Sequence, residues 1–329
     1  MVSAGYQVIT LDALSYAGNL ENLRSLENNP KHEFVEGSIA DEALIKNLLV
    51  TREPSAVINF AAESHVDRSI DSPTAFIETN IVGVFVLLEA FQHYIATRDF
   101  ADFRFLHVST DEVYGSVDTE AFHENSPYAP SSPYAASKAA ADHLSRAWHK
   151  TYDLPTIITN CSNNYGPYQF PEKLIPLMII KALREEPLPV YGDGKQQRDW
   201  IHVSDHCRAL QTVLTTGRPG ETYNVGCGED VENIHVVRTL CSILDRLRPR
   251  SGDQSYFDLV AYVDDRPGHD QRYSVNANKL HKELGWRPEI AFKAGLEATI
   301  IWYLENEDWI ASVQSDYSGE RLGTFNRIG

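Results

Sequence analysis

The feature of this sequence that most constrains its fold is the alternation of strand-like and helix-like segments in its first half. Apolar, strand-like runs lie at residues 6–12, 33–37, 56–62, 103–110 and 154–162. Helix-like segments lie between them at residues 41–53, 73–95 and 132–152. Such alternation is typical of a parallel sheet covered by helices on both faces, because parallel strands need long crossover connections. We therefore predict an α/β fold built on a doubly wound parallel sheet.

The second half of the chain predicts a smaller α/β domain. After about residue 165, Pro and Gly recur in segments such as YGPYQFPEK, EEPLPVYGDGK and DDRPGHD. Moderate helices alternate there with short strands. We assign residues 1–165 to the sheet domain, with returns to the sheet near 197–228. Residues 166–329 form the smaller, interleaved domain.

The charge balance excludes several classes of partner. The chain has 29 Lys and Arg residues against 46 Asp and Glu residues, a net charge of −17. This excess of acid disfavours binding to nucleic acid or to an anionic membrane. No stretch approaches the ~20 continuous apolar residues of a membrane span, and the N-terminus does not resemble a signal peptide. The four cysteines show no CxxC pair and no metal-ligand spacing with His. We expect a cytoplasmic protein with reduced thiols and no metal.

A candidate catalytic pair lies in SPYAASKAAADHL, where Tyr134 and Lys138 are one helical turn apart and share a face. A nearby ammonium lowers the pKa of a phenol, so Tyr134 is predicted to act as a base near neutral pH. The strand at 103–110 ends in Ser109 and Thr110, at the edge of the sheet where ligands bind. This combination resembles the active site of the short-chain dehydrogenase/reductase superfamily. The resemblance implies that Ser109 or Thr110 bonds the substrate hydroxyl, that Tyr134 takes its proton, and that Lys138 also holds the nicotinamide ribose.

Two adjacent acids, Asp111 and Glu112, follow the strand directly. A dehydrogenase or 4-epimerase needs only the hydroxyl and the Tyr-Lys pair, so the acids indicate a second reaction. Neighbouring carboxyls tend to split their pKa values, which leaves one acid and one base. Oxidation of a sugar at C4 acidifies the C5 proton. One carboxylate can then remove that proton while the other, protonated, helps the C6 hydroxyl to leave.

Several long motifs identify a closer resemblance. They are STDEVYG, AAESHVDRSI, SPYAASKA, NCSNNYGPYQFPEKLIP, RDWIHVSDH and RPGHDQRY. Together they resemble the dTDP-glucose 4,6-dehydratase family from about residue 6 to the C-terminal ERLG. The resemblance implies that Tyr134, helped by Thr110 and Lys138, deprotonates the C4 hydroxyl as hydride passes to NAD. Glu112 then takes the C5 proton and Asp111 protonates the departing C6 hydroxyl. Return of hydride to C6 and of a proton to C5 regenerates NAD.

The same resemblance implies the ligands and the residues that bind them. The sheet domain would bind NAD, the smaller domain would bind dTDP-glucose, and the protein would be a homodimer. The cofactor-binding residues would be Asp12, Ala13, Leu14, Ser15, Ser38, Ile39, Phe60, Ala61, Ala62, Glu63, Ser64, Thr79, Tyr134, Lys138 and Asn164. The substrate-binding residues would be Ser64, Thr110, Asn163, Lys173, Leu174, Pro189, Val190, Tyr191, Arg198, Asn233, Arg266 and His269.

Physical chemistry supports three of these assignments. Asp12 ends the first strand-like run, and an acid at such a position bonds the adenosine ribose and repels a 2′-phosphate, which favours NAD over NADP. Arg198 and Arg266 carry guanidinium forks that match phosphate oxygens, so both suit a diphosphate.

The sequence departs from the family pattern in two places. The family begins with a strand and a GxxGxxG turn, and the sequence has no GxxGxxG. We expect an incomplete chain, in which the strands at 6–12 and 56–62 lack a shared neighbour. A genuine short form is the alternative, and we expect such a form to bind NAD poorly or to fold badly. Ser38 stands where the family usually has an aspartate near the adenine, and we expect a modest effect.

Two further interpretations remain open from the sequence. The same chemistry could act on UDP- or CDP-glucose, because the base pocket is not readable from one sequence. A non-catalytic protein that holds a sugar nucleotide but not NAD is the second alternative. The absent glycine turn favours it, and the intact Thr-Asp-Glu and Tyr-Lys sets disfavour it.

Overall fold

The computed structural model describes residues 1–96, 98, 103–117, 119–266 and 268–314. Its strands are β1 (Val8–Asp12), β2 (His32–Glu36), β3 (Ala56–Asn59), β4 (Arg104–Thr110), β5 (Thr156–Cys161), β6 (Asn163–Tyr165), β7 (Leu188–Tyr191), β8 (Gln197–His202), β9 (Thr222–Val225), β10 (Asp230–Glu232), β11 (Val260–Val263) and β12 (Arg272–Tyr273). Its α-helices are α1 (Glu42–Arg52), α2 (Val66–Asp71), α3 (Thr74–Phe76), α4 (Val84–Ala96), α5 (Pro133–Tyr152), α6 (Leu174–Leu183), α7 (Val203–Thr216), α8 (Asn233–Leu247), α9 (Asn278–Leu284), α10 (Phe292–Glu305) and α11 (Glu307–Gln314). Short 3-10 helices cover Val2–Ala4, Leu20–Leu26, Asp111–Tyr114 and Tyr256–Leu259, and a π-helical stretch, Ile77–Gly83, joins α3 to α4.

The main sheet is parallel and has the strand order β3-β4-β5-β9. Successive side chains of a strand point to opposite faces, and Phe105 and Leu106 on β4 illustrate this. Phe105 packs with residues of α1, α4 and α5, whereas Leu106 packs with residues of α7 and α9. Helices therefore cover both faces, which confirms the predicted doubly wound α/β fold.

A separate two-stranded parallel sheet is formed by β1 and β2. Within the described ranges, β1 pairs only with β2, and β3 pairs only with β4. The expected interruption between these two strands is thus present. Leu11 of β1 packs into the same apolar cluster as α1 and α4, so the small sheet lies beside the main one.

The second half has its own apolar core, built mainly from α6, α8 and α10. Of the two returns to the main sheet expected near 197–228, one is present, because β9 pairs with β5. The other differs from the expectation. β8 pairs instead with β6, β10 and β12, and these pairings occupy its backbone groups.

The continuous helix from Thr74 to Ala96 is long and apolar. By length and composition alone its 23 residues could cross a membrane, with a mean hydropathy of 1.6 in the most apolar window. However, 50% of that window is buried inside the protein, and Asn80 within it is buried and hydrogen-bonded. These properties are also those of a core helix in a soluble protein.

Candidate active site

The centre of the candidate site is the end of β4. Thr110, the last residue of this strand, pairs in register with Cys161 of β5. Its hydroxyl accepts a hydrogen bond from the backbone N–H of Glu112 at 3.3 Å and donates one to Oδ1 of Asp111 at 3.2 Å. Thr110 thereby caps the short helix Asp111–Tyr114. This tight turn fixes the two carboxyl groups at the carboxyl end of a central strand.

Helix α5 brings the second part of the site against the sheet. Ser132 caps the helix by accepting from the backbone N–H of Ala135 at 3.1 Å, and Pro133 occupies its first turn. The buried face is rich in Ala and Ser, so the helix backbone can lie close to β4 and β5. Tyr134 and Lys138 are 8% and 3% exposed. The ammonium of Lys138 donates to the carbonyl of Val108 at 2.8 Å.

The two adjacent acids have different electrostatic surroundings. Burial raises the pKa of Asp111 well above its usual value, and the carboxylates of Glu112 and Asp199 raise it further. Burial also raises the pKa of Glu112, but three cations oppose that shift. They are Arg266, Arg198 and Lys173. Asp111 is therefore suited to carry a proton at neutral pH, and Glu112 is the better candidate for a base.

The pKa of Tyr134 differs from the sequence-based expectation. Burial raises it well above 10, and the nearby groups Glu112 and Cys161 raise it further, while a hydrogen bond from Thr110 lowers it. The expectation of a lowered pKa considered only the ammonium of Lys138. That ammonium is itself buried and bonded to a backbone carbonyl. Tyr134 is therefore protonated in the protein without its ligands.

Arg198 is held rigidly on one side of the pocket. It is 4% exposed, and its guanidinium donates to the carbonyl of Gln197 at 2.7 Å and to that of Asp270 at 3.0 Å. It also lies over the ring of Tyr273, with 4.3 Å between the guanidinium carbon and the ring centroid. Several N–H groups of the Arg198 guanidinium are thus bonded within the protein, and this fixes the direction of its remaining N–H groups.

Two acids hold further predicted substrate-binding residues. Asp67, buried at the start of α2, accepts from Nη1 of Arg266 at 3.1 Å and from the hydroxyl of Tyr191 at 3.2 Å. Asp265 lies 2.6 Å from Nδ1 of His269, measured to Oδ1. The structure therefore brings Arg266, Tyr191 and His269 together on the side of the pocket formed by the second half.

Lys173 connects the two halves of the chain. Its ammonium donates to the carbonyl of Ser64 at 2.8 Å. The preceding residue, Glu172, accepts from the hydroxyl of Tyr16 at 2.8 Å and from Nε of Arg68 at 3.3 Å. These contacts tie the loop after β1 and helix α2 to the start of α6.

The other predicted substrate-binding residues lie at element ends. Asn163 begins β6, Asn233 begins α8, and Leu174 begins α6. Pro189 and Val190 lie on β7, and Val190 is buried in the core of the second half. Any contact of Val190 with a ligand must therefore come from its backbone.

The predicted cofactor residues near β1 present an exposed carboxylate. Asp12 ends the strand, is exposed, and accepts through Oδ1 from the backbone N–H of Leu14 at 2.8 Å. Ala13 and Ser15 flank Leu14 and are exposed. Ser38 accepts from the backbone N–H of Ala40 at 3.1 Å. Ile39 packs in the core beside α1 and α4, so its side chain serves the fold.

The loop after β3 carries the remaining cofactor residues. Phe60 is 58% exposed, and the following four residues are half-buried: Ala61, Ala62, Glu63 and Ser64. Asn80, in the π-helical stretch, accepts from the backbone N–H of Glu63 at 2.9 Å and donates to its carbonyl at 3.0 Å. Thr79 precedes Asn80 and is half-buried, and Asn164 accepts through Oδ1 from Nδ1 of His206 at 2.9 Å.

Several buried polar atoms around this pocket have no hydrogen-bond partner among the described residues. They are Oγ of Ser109, Oδ2 of Asp111, Oε2 of Glu112, Oδ1 of Asn163 and Oδ1 of Asn233. Buried polar groups are normally hydrogen-bonded, because an unsatisfied one costs free energy. Those of Ser109, Asp111 and Glu112 lie at the end of β4, and a polar ligand there would satisfy them.

Sequence reasoning missed four residues that position the site. Asp67, Asn80, Glu172 and Asp265 hold predicted site residues or their loop through the contacts given above. Asp67 and Glu172 stand inside the motifs AAESHVDRSI and NCSNNYGPYQFPEKLIP. Their acidity beside basic residues was the available signal. Asp265 carries the same signal, because it directly precedes Arg266, whereas Asn80 carries none.

Comparison with known proteins gives consistent matches along the chain. A family model described as GDP-mannose 4,6 dehydratase matches residues 1–299. The chain is 59% identical over 328 residues to a dTDP-glucose 4,6-dehydratase of Xanthomonas campestris pv. campestris, which covers 98% of this chain and 93% of that protein. It is 54% identical to a dTDP-glucose 4,6-dehydratase of Neisseria meningitidis serogroup B, with 96% and 92% covered. Among solved structures, DesIV, a dTDP-glucose 4,6-dehydratase from Streptomyces venezuelae with NAD and TYD bound, matches with a TM-score of 0.85 and 45% identity, covering 93% of this chain and 90% of DesIV.

Proposed function

This chain belongs to the dTDP-glucose 4,6-dehydratase family, and we propose that it converts dTDP-glucose to dTDP-4-keto-6-deoxyglucose with NAD as its cofactor. One observation carries the proposal. The adjacent carboxyls Asp111 and Glu112 are fixed beside Tyr134, and burial raises the pKa of Asp111 well above its usual value, whereas three cations oppose the rise at Glu112. A dehydrogenase without elimination has no use for such a pair.

The residues present at the site fit the ribose and nicotinamide parts of NAD, whereas the glycine turn that the family pattern places at the pyrophosphate is absent from the sequence. The exposed carboxylate of Asp12 at the end of β1 suits the hydroxyls of a ribose, and the exposed ring of Phe60 offers an apolar surface. Lys138, which is buried, would hold the nicotinamide ribose, and Ser109, whose buried hydroxyl has no partner among the described residues, precedes Thr110 on the same strand. NAD, when bound, takes up two electrons in the C4 oxidation and returns them at C6.

The protein's own groups move the protons. In its phenolate form, which the charge of Lys138 and a hydrogen bond from Thr110 favour, Tyr134 takes the proton of the C4 hydroxyl. Glu112 removes the C5 proton, and Asp111 donates its proton to the leaving C6 hydroxyl, which departs as water. Return of a proton to C5 completes the reaction. The sum is the loss of one water from the sugar with no net oxidation.

The cationic side of the pocket is proposed to hold the sugar nucleotide. Arg198 and Arg266 suit the diphosphate oxygens, since a guanidinium binds phosphate through two parallel hydrogen bonds. Lys173 lies between the two halves and adds a third positive charge. Asn163 and Asn233 each offer an unsatisfied amide oxygen to ligand hydroxyls. The remaining proposed contacts are Ser64, Leu174, Pro189, Val190, Tyr191 and His269.

We propose the same division of labour between the halves as the sequence indicates. Residues 1–165 bind NAD, with a return at β9, and residues 166–329 bind the sugar nucleotide. The separate apolar core of the second half supports this division. The cytoplasm is the proposed location.

We also propose that the protein is a homodimer. Ile77, Val82 and Phe85 are 46%, 45% and 43% exposed along one helix. On α5, Tyr152 is 48% exposed, and Trp148 packs edge-on to Phe85 with ring centroids 5.9 Å apart. A second copy of this chain would cover this apolar surface, with the same patch facing itself across a two-fold axis.

The test of the proposed function is a reaction in D2O. The chain is incubated with NAD and dTDP-glucose, and the sugar is followed by NMR. A 4-keto-6-deoxy product that carries deuterium at C5 is the expected result. Parallel reactions with UDP- and CDP-glucose measure the nucleotide preference. If NAD is bound and none of the three substrates reacts, the proposed function is wrong.

A further inference from the structure

A fully buried acid lies one helical turn beyond Lys138 on α5. Asp142 and His107 of β4 are both 0% exposed, and Oδ1 of Asp142 lies 3.4 Å from Nε2 of His107. Residues four apart on a helix are neighbours, so Asp142 lies beneath the lysine of the site. Neither Asp142 nor His107 has a part in the proton transfers proposed above.

The hydrogen bonds around His107 fix the position of its proton. The backbone N–H of Ala61 donates to Oδ1 of Asn59 at 3.1 Å, which leaves the NH2 group of Asn59 to face Nδ1 of His107 at 3.2 Å. Nδ1 is then the acceptor of a neutral ring, and Nε2 carries the hydrogen toward Asp142. Burial lowers the pKa of His107, and the charge of Lys138 lowers it further, so the ring is neutral.

The second oxygen of Asp142 is hydrogen-bonded, whereas Oδ1 faces Nε2 of His107 at 3.4 Å without a well-aligned hydrogen bond. Oδ2 accepts from the hydroxyl of Tyr128 at 2.7 Å and from the amide of Asn160 at 3.1 Å. The same amide group donates to the carbonyl of Thr110 at 3.1 Å. Burial alone would raise the pKa of Asp142, but the imidazole of His107 and the charge of Lys138 lower it below its usual value. Asp142 is therefore an ionised carboxylate.

We propose that Asp142 is a positioning residue that keeps Lys138 charged, and that His107 supports it. The inference rests on the proposed function, in which the charged Lys138 assists proton removal by Tyr134. Lys138 favours a phenolate at Tyr134 only while its amine is protonated. A buried ammonium without a nearby anion tends to lose its proton. Asp142 supplies that anion from the interior, out of reach of the substrate.

Other charged or titratable groups face this centre, and they do not replace Asp142. Burial lowers the pKa of Lys138, and the carboxylate of Asp142 opposes this most, followed by Cys161 of β5. Burial raises the pKa of the Cys161 thiol to about 12, so the thiol is uncharged at neutral pH. Arg146 on α5 bonds the hydroxyl of Tyr128 and adds positive charge. The acids Asp111 and Glu112 face Tyr134.

The expected consequence of removing the charge is a shift of the pH profile. In Asp142→Asn, Lys138 loses its proton at lower pH, and the pKa of Tyr134 in the complex rises. The acidic limb of kcat/KM then moves to higher pH by about one to two units, estimated for neighbouring charges at an effective dielectric constant of about 20. Below this limb, kcat/KM falls about tenfold or more, while the change at high pH is smaller.

The test compares three variants of the full chain with NAD bound. Asp142→Asn removes the charge, and His107→Gln removes the ring that stabilises it, so a smaller shift in the same direction is expected. Asp205→Asn is the matched control. Asp205 is also 0% exposed, and it accepts from the backbone N–H groups of Glu289 and Ile290. It lies on α7, which covers the face of the sheet opposite to α5. Circular dichroism and thermal unfolding establish that each variant is folded. Asp205→Asn should lose stability without moving the acidic limb.

A direct titration of Lys138 separates this inference from the proposed function. Lysines labelled with 13C at Cε are followed by NMR against pH, and the Lys138 signal is assigned by its loss in Lys138→Met. The expected result is a lower pKa of Lys138 in Asp142→Asn, or in His107→Gln if Asp142→Asn does not fold, and no change in Asp205→Asn. An unchanged Lys138 pKa in the folded variants would overturn the inference, whether or not dTDP-glucose is the substrate. If the unsubstituted protein does not turn over dTDP-glucose but the pKa of Lys138 is lower in Asp142→Asn, only the proposed function is contradicted.

Discussion

Glu112→Gln tests the division of roles between the two adjacent acids. The substitution keeps the size of the side chain but removes both its proton acceptor and its charge. That charge contributes, after burial itself, to the raised pKa values of Asp111 and Tyr134. The variant should therefore lower the pKa of Tyr134 and leave C4 oxidation intact, while removal of the C5 proton is blocked.

The size of the effect follows from the role of a general base. Such a group contributes about a hundredfold to ten-thousandfold to a rate, which is about 3–5 kcal/mol of activation free energy. Formation of the 4-keto-6-deoxy sugar by Glu112→Gln should fall by about a thousandfold. In a single turnover, the absorbance of reduced cofactor should rise and persist, because oxidation proceeds and elimination does not.

The matched variant is Asp111→Asn, which removes the acid instead of the base. Glu112 then still exchanges the C5 proton, so NMR in D2O should show deuterium at C5 of a 4-keto sugar that retains its C6 hydroxyl. In Glu112→Gln the C5 position should stay protonated. Full turnover by Glu112→Gln, or the exchange pattern reversed between the two variants, would refute the assignment.

Three other perturbations follow from the described contacts. Tyr134→Phe should abolish the rise of reduced cofactor in a single turnover, because the C4 hydroxyl keeps its proton; a rise at the original rate would contradict the role of Tyr134. Phe85→Glu should convert a dimer to a monomer in light scattering after size exclusion, since it places a charge in the exposed apolar patch; an unchanged mass would argue against that interface. Burial raises the pKa of Asp205, but hydrogen bonds from Arg208 and two backbone N–H groups lower it on balance. Asp205 therefore contributes stability at neutral pH that is lost as pH falls through its lowered pKa. Asp205→Asn should lower the free energy of unfolding by about 1.5–3 kcal/mol at pH 7, and the variant should lose less stability than the unsubstituted protein below about pH 4. Denaturant unfolding that shows the same loss of stability at acid pH in both proteins would contradict this.

The parts of the fold that were predictable depend on local periodicity. The buried strand Arg104–Thr110 and the helix Pro133–Tyr152 lie within two residues of their predicted bounds. An apolar run flanked by turn residues reads as a strand, and Pro133 after Ser132 reads as a helix start. The same reasoning placed Tyr134 and Lys138 on one face of that helix.

The rest depends on long-range contacts that one sequence does not specify. Asp67 and Arg266 form an ion pair although they are 199 residues apart. The raised pKa of Tyr134 arises from burial against Glu112, which depends on how closely α5 packs on β4. Periodicity identifies the face of α5 that is buried, but not its neighbours. The strand Gln197–His202 shows the same limit, because its pattern predicts a strand but not its partners.

The acid pair shows why the two halves must act together. Asp111 and Glu112 are consecutive, so their mutual repulsion acts equally on both and cannot decide which one keeps the proton. The asymmetry must come from groups around them. Asp199 raises the pKa of Asp111 further, and Arg266 and Lys173 lower that of Glu112, while Arg198 lowers the pKa of both acids. All four of these groups belong to the second half of the chain. The first half therefore supplies the two carboxyls, whereas the second half decides which is the acid and which is the base. Because the two arginines are also the proposed diphosphate ligands, the bound diphosphate would partly neutralise them and raise the pKa of Glu112 toward neutrality, where a general base is most effective.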